Sequence, residues 1–337
     1  MVIGMLASLK QQRAAVGRIE MDWSSITTIN EADVAAFMKF WYQGAAAILG
    51  VLLAVEILLR VLAWWEHRKT DAPRPLVARD APANFVLFLH SILLDGIVGN
   101  GLVLGGLYLG SRLSHWHIPF NLYTLPIYFL AAEFWHYIYH RMSHEVRMLW
   151  ADHSIHHSSR DYEFFTSWRL PPFTFVYKAL TIIPMGMLGF GPIAFLLLTK
   201  GISFQTFIHT QRIGRLGWFD KVFCSPVNHG IHHACNPRYI DKNYGGMTVI
   251  WDQLLGTFML PEEEKVKFGI TKDVNSNDPF KIWIFEFKYL FRDLWHAPGL
   301  TEKLKVVFGK PGETYSHGIA ARPGAPAMDD AILVAAE

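Results

Sequence analysis

Apolar residues fall along this chain in long runs separated by short connections that carry most of the charge. A helix needs about twenty mostly apolar residues to cross the hydrocarbon core of a bilayer. Residues 41–63, 85–109 and 119–138 each meet that requirement, the last with aromatic residues at both ends. Residues 173–207 form a longer apolar stretch, interrupted at Gly189-Phe190-Gly191-Pro192. Clusters of Gly and Pro mark turns, so this stretch predicts a hairpin of two short spans or a re-entrant pair. The expected fold is an all-α integral membrane protein. It has four to five transmembrane or re-entrant helices and a cytoplasmic helical cap. The expected order is an N-terminal segment (1–40), transmembrane helices (41–139), a central domain (140–258) holding the hairpin, a cytoplasmic or interfacial helical region (259–310) and a flexible tail (311–337).

Loop charge gives these spans a direction. Arg68, Lys69, Arg74 and Arg79 lie between the first two runs, only Arg112 in the next connection, and Arg141, Arg147, Arg160 and Arg169 in the one after. Cytoplasmic loops carry the excess of Lys and Arg, which puts the connection after residue 138 in the cytoplasm. Glu56, Arg60, His90 and Asp95 fall inside the first two runs. Ionisable residues there are expected to pair or to face a polar pocket. Residues 279–296 mix aromatic and charged positions and predict an amphipathic helix, lying either on the bilayer surface or against the core.

Composition agrees with a membrane setting. Apolar residues make up 51% of the chain, charged residues 18%, and mean hydropathy is +0.19. A net charge of +2 without a basic, aromatic-laced run excludes nucleic acid as an expected partner. Two cysteines, Cys224 and Cys235, exclude a disulfide framework and fit a reducing compartment.

The chemistry concentrates in histidine. Five of the twenty residues from 140 to 159 are His, out of sixteen in the chain. His140 and His144 form H-x-x-x-H. His153, His156 and His157 form H-x-x-H-H, and His229, His232 and His233 repeat it. Positions i, i+3 and i+4 share one helical face, so each motif is expected to aim its imidazoles together. Eight imidazoles exceed the four of one tetrahedral ion and suit two ions with about four each. Imidazole accepts Zn, Cu, Fe and Ni alike. Two ions beside a membrane favour oxygen chemistry at iron over a structural or hydrolytic zinc site, and no H-E-x-x-H occurs. A metal transporter would carry its ligands within the spans, whereas most of these histidines lie just outside them. Glu133, His136, His140 and His144 step by three, four and four along one stripe leading from the bilayer into the site. Phe164, Phe165 and Trp168 are expected either to line an acyl channel or to anchor at the interface.

These motifs resemble the fatty acid hydroxylase/sterol desaturase superfamily of membrane di-iron enzymes, whose three histidine motifs stand in this order. The likeness is closest to its alkylglycerol monooxygenase branch. It is carried by "HRMSHEVRMLWADHSIHHSS" (140–159), with Trp150 and Ser158-Ser159 in context, by "FIHTQRIGRLGWFD" (207–220) and by "NHGIHHACNPRYIDKNYGGMTVIWDQLLGTF" (228–258). The resemblance implies that the eight motif histidines hold two iron ions and that O2 is activated there to hydroxylate a lipid from the bilayer. Desaturation of an acyl or sterol-like lipid is the alternative outcome, and a membrane zinc-dependent lipid hydrolase the alternative of another class. The resemblance adds His209 as a ninth ligand or an outer group. It makes Glu145, Asn236 and Asp241 polar partners of the site. His136 stands where an aromatic is expected, as an extra ligand, a proton donor or a passive helix residue. Electrons must come from an external donor, a pterin or a redox protein.

Overall fold

A computed structural model describes residues 77–312 apart from Ser203, with a few isolated positions before residue 77. The expected first span and the tail beyond 312 lie outside the described residues. Within them the chain is helical, and β pairing is limited to three isolated bridges.

Helix α1 (Val77–Leu93) runs into a π-helical turn (Leu94–Gly99) and then α2 (Asn100–Leu113) without a break. Helix α3 (Leu125–Glu145) has Pro126 in its first turn and carries the stripe of Glu133, His136, His140 and His144. The single extended residue Val146 turns the chain into α4 (Arg147–His157). A 3₁₀ turn (Phe164–Trp168) leads to α5 (Thr174–Thr181), α6 (Ile183–Met187) and α7 (Pro192–Ile202), followed by a second 3₁₀ turn at Phe204–Ile208. Then come α8 (Pro226–His232), α9 (Ile250–Leu254), α10 (Pro279–His296) and α11 (Gly299–Phe308).

Among the described residues no helix is long and apolar enough to cross a membrane. The expected span 85–109 is divided by the π turn. The helix expected at 119–138 begins later, at Leu125, and continues past His140 and His144 to Glu145. The stretch 173–207 does break where expected, at Gly189 (φ 87°). Its arms are shorter than the roughly twenty residues a span needs. Large apolar side chains nevertheless face outward on these elements: Phe85, Leu89 and Leu109 on α1 and α2, Ile127 on α3, Leu180 on α5. A surface this greasy calls for lipid or a partner.

The hairpin is held by backbone contact. A Cβ on Gly110 would lie 2.2 Å from the Ile183 carbonyl oxygen, and one on Gly186 2.3 Å from that of Leu107. Small residues of this kind let helices approach where lipid supplies no hydrophobic drive between them. The turn itself is fastened to the segment before α3. The Ile118 amide donates to the Gly189 carbonyl (2.8 Å), while the Tyr128 hydroxyl donates to the Ile118 carbonyl (2.8 Å) and accepts from the Gly191 amide (2.7 Å). Beneath lies the main core, with Leu107, Tyr128, Ala132, Ile182 and Phe195 fully buried.

The cap closes over α4. Helix α10 is capped by Asp278, whose carboxylate accepts from the Phe280 and Lys281 amides. It buries Ile282 and Leu290 and leaves Phe280, Phe291 and Trp295 exposed, so it serves both as a core helix and as an outward apolar ridge. His90 of α1 packs edge-on against its Trp283 (5.6 Å). A buried ion pair, Arg147–Asp293, ties α4 to α10, with Arg292 on the other carboxylate oxygen. Burial opposes the Asp293 charge, but hydrogen bonds from Arg147 and Arg292 prevail and hold its carboxyl below the usual 3.8. Asp293→Asn is expected to lower stability by roughly 3 kcal/mol, because it removes the charge that faces the buried Arg147 guanidinium. A carboxyl depressed on folding stabilises fully above its unfolded value. The difference between variant and parent in a denaturant titration is therefore largest near neutral pH and fades as pH falls below about 3.8.

Candidate metal centre

The three motifs and His209 converge in the interior. The nitrogens of His140, His144, His153, His157 and His232 lie within 4.8 Å of one another, as do those of His156, His209, His229 and His233, and all nine residues are buried. Helix α3 supplies the first two rings, α4 the next three, and α8 with the residue after it the last three. Helix α8 starts on Pro226 and is capped by the Ser225 hydroxyl, which accepts from the Asn228 amide.

The sequence reading expected each H-x-x-H-H to aim all three rings one way; the structure divides them. On α4, His153 and His157 join the group of five while His156 joins the group of four. On α8, His229 and His233 join the group of four while His232 joins the group of five. At 100° per residue, position i+4 lies 40° to one side of i and i+3 lies about 60° to the other. That spread disappears on a solvent-facing stripe but decides the matter between two points this close.

Backbone carbonyls fix how the rings present themselves. His140 Nδ1 meets the Tyr244 carbonyl (3.0 Å), His156 Nδ1 that of Arg169 (3.2 Å), His209 Nδ1 that of Gln205 (2.8 Å) and His232 Nδ1 that of Lys242 (3.0 Å). A carbonyl only accepts, so each Nδ1 carries the hydrogen. Burial keeps these imidazoles neutral: it pulls His140 down to about 3 and His156 to about 4, and holds His209 and His232 well below the ordinary 6.5. Each Nε2 is therefore a bare lone pair. His156 and His209 turn two such lone pairs toward each other at 3.4 Å, and the His229 and His233 Nε2 atoms stand 3.1 and 3.2 Å from that of His209. Two lone pairs at that distance repel without a cation between them. Four nitrogens each about 2.1 Å from one tetrahedral ion would stand about 3.4 Å apart. In the other group the Nε2 atoms of His144 and His232 are buried without a hydrogen-bond partner. The donor set fits two metal ions.

Acidic side chains brace the framework. Glu133 accepts from the Met247 amide (3.0 Å), the Thr248 amide (2.8 Å) and the Thr248 hydroxyl (2.6 Å). Asp252 accepts from the Tyr244 amide (2.8 Å), the Gly245 amide (2.7 Å) and the Thr257 hydroxyl (2.7 Å), and so fixes the carbonyl that holds His140. Of the three polar partners expected from the resemblance, Asp241 comes nearest the centre, with Oδ1 3.8 Å from His144 Nδ1 and a left-handed backbone (φ 60°). Glu145 pairs with Arg141 at 2.8 Å. The Asn236 amide is spent on Glu264, Lys265 and Lys267 rather than on an imidazole. The backbone carbonyls and Asp252 were beyond sequence reasoning. Carbonyls leave no residue signature, and an Asp in the first turn of a short helix such as α9 reads as a response to the helix dipole.

Two cavities with no lining residue in common reach the centre. One, of ≈ 130 Å³, lies under the hairpin and touches His140, His153, His156 and His209, with His136 and Lys178 on its wall. The other, of ≈ 190 Å³, opens through the cap and touches His144, His157 and His232, with Asp241, Lys310 and Trp150 on its wall. The Trp150 indole packs against His144 (5.1 Å) and His157 (5.7 Å). Phe164 and Phe165 are buried, and Trp168 stacks on Phe88 of α1 (4.6 Å).

Residues 125–257 match the family model of the fatty acid hydroxylases. The chain is 31% identical over 271 residues to alkylglycerol monooxygenase of Xenopus tropicalis, covering 78% of this chain and 58% of the relative. To the enzyme of that name in Danio rerio it is 30% identical over 319 residues, covering 91% of this chain and 64% of the relative. It is 36% identical over 148 residues to an ornithine lipid hydroxylase of Rhizobium tropici, covering 43% of this chain and 45% of the relative. The chain thus spans less than two thirds of the length of these relatives. No solved structure matches it.

Proposed function

Because the chain belongs to the fatty acid hydroxylase superfamily, on its alkylglycerol monooxygenase-like side, we propose that it is a membrane-associated, iron-dependent lipid oxygenase. One atom of O2 enters a lipid C–H bond to give an alcohol. The other leaves as water, with two electrons and two protons drawn from an external donor. Where the oxidised carbon carries an ether oxygen, the product is a hemiacetal that breaks to an aldehyde and a glycerol lipid. The observation that carries this reading is the facing pair of bare Nε2 atoms on His156 and His209, repeated by the orphaned Nε2 atoms of His144 and His232.

In this reading His140, His144, His153, His157 and His232 hold one ion and His156, His209, His229 and His233 the other. Iron bound there supplies the reductive activation of O2. The protein supplies position and dryness. Carbonyls of Tyr244, Arg169, Gln205 and Lys242 orient the rings and raise their basicity. The buried walls exclude water from the reacting carbon. The apolar hairpin side faces lipid, and the charged cap side faces the donor. The arginine-rich connections around the motifs support a cytoplasmic position for that cap.

The test is a membrane preparation of the chain given a reductant under isotopically labelled O2, with lipids read by mass spectrometry. Label in a lipid alcohol, or a new lipid aldehyde, is expected with intact protein. Desaturated lipid without label would redirect the reading to the desaturase outcome. Cleavage that persists without oxygen would replace it with a zinc hydrolase.

A further inference from the structure

The residues from 170 to 199 are apolar or uncharged with one exception, Lys178. A lysine near the end of such a segment usually snorkels outward to water or headgroups. This one turns inward, onto the wall of the cavity beneath the hairpin. Its ammonium lies 4.9 Å over the Tyr139 ring, and its charge reaches far enough to disfavour protonation of His140, His153 and His156. The Tyr139 hydroxyl in turn meets His136 Nδ1 at 3.2 Å.

His136 belongs to neither nitrogen group. It is 2% exposed, it lines the same cavity, and its Nε2 has no hydrogen-bond partner. A buried ring nitrogen left open is costly unless something fills the space in front of it. The rest of the wall offers neutral groups such as Ser167, Thr174 and Gln205, and no carboxylate lines it. A small cavity with a cation, an open imidazole nitrogen and no acid suits an anionic group rich in oxygen. At ≈ 130 Å³ it has room for a headgroup-sized anion.

We propose that this cavity is a headgroup subsite in which Lys178, with His136 beside it, selects lipids bearing a phosphate over their uncharged counterparts. This rests on the lipid-oxygenase reading of the neighbouring centre. Lys178 is then a specificity residue, and His136 is a substrate contact rather than a tenth metal ligand. The assembly also explains a half-buried lysine in an otherwise apolar hairpin, a placement that lipid exposure alone would penalise.

The test uses the full chain in detergent with its metals loaded, and equilibrium binding of hexadecyl phosphate and hexadecanol followed by tryptophan fluorescence. The intact protein is expected to bind the phosphate about 10- to 100-fold more tightly, the range for a charge-assisted hydrogen bond in a buried site. Lys178→Gln should reduce that preference to within about twofold with metal content unchanged, and Lys178→Arg should retain it. His136→Phe should weaken phosphate binding while leaving two ions bound. No preference in the intact protein, or a preference that survives Lys178→Gln, would overturn the proposal, as would loss of metal in His136→Phe. Failure of the oxygenase reading would show elsewhere, as absence of labelled product from either lipid class while the binding preference stands.

Discussion

Replacing His156 with alanine is expected to lower the metal content from two ions per chain to about one and to reduce lipid oxidation by more than about 100-fold. His156 is one of only four nitrogens in its group, and its lone pair is aimed by the Arg169 carbonyl at the point where the other three meet. Even groups that merely orient a ligand cost 10- to 100-fold in affinity or activity when removed, so a ligand itself should cost more. His144→Ala offers an internal comparison. It leaves four nitrogens in the larger group, so its metal loss should be the smaller of the two. Elemental analysis of both purified variants, alongside the labelled-oxygen assay, decides the matter. Two ions and full turnover in His156→Ala would remove the metal assignment.

Asp252→Ala is expected to cost about 3 kcal/mol of stability and to weaken metal binding by roughly 10- to 100-fold. The side chain is fully buried and accepts three hydrogen bonds, two of them from the amides of Tyr244 and Gly245. Removing it strands those amides and frees the Tyr244 carbonyl from its place against His140. Asp252→Asn, which keeps one oxygen, should fall between. A thermal melt with and without added metal separates the two effects: the stability loss persists in the metal-free protein, while the affinity loss appears as a smaller metal-induced rise in Tm.

Part of this was legible in the residues alone. The hairpin break at Gly189 to Pro192 could be read because Gly and Pro constrain the backbone locally. The eight motif histidines could be read because their spacing is a helix period, and His209 was reachable only through the family likeness. The π turn at Leu94–Gly99 could not be read, since residues 85–109 are predominantly apolar on both sides of it and a change of helical pitch leaves that pattern intact. The Gly106 and Gly110 pair is a small-residue spacing in the sequence, but only the partner helix reveals that its backbone must touch there. Glu133 was placed on the histidine stripe correctly, yet its carboxylate serves the 247–248 turn, more than a hundred residues away in sequence. Asn236 followed the motif in sequence but not in contact, since its amide holds the segment at Glu264 to Lys267.

The doubled histidine has a consequence beyond ligand number. His156 and His157 stand with ring centroids 5.4 Å apart at 89°, and His232 and His233 stand 5.4 Å apart at 86°. In each pair one ring serves one group and its neighbour serves the other. The gap between the groups is therefore set twice, on two separate helices, by the step from one residue to the next. It does not depend on a loop, a hairpin or the fit of the cap. The helix backbone acts as a ruler, and H-x-x-H-H is the spelling that marks both ends of the interval.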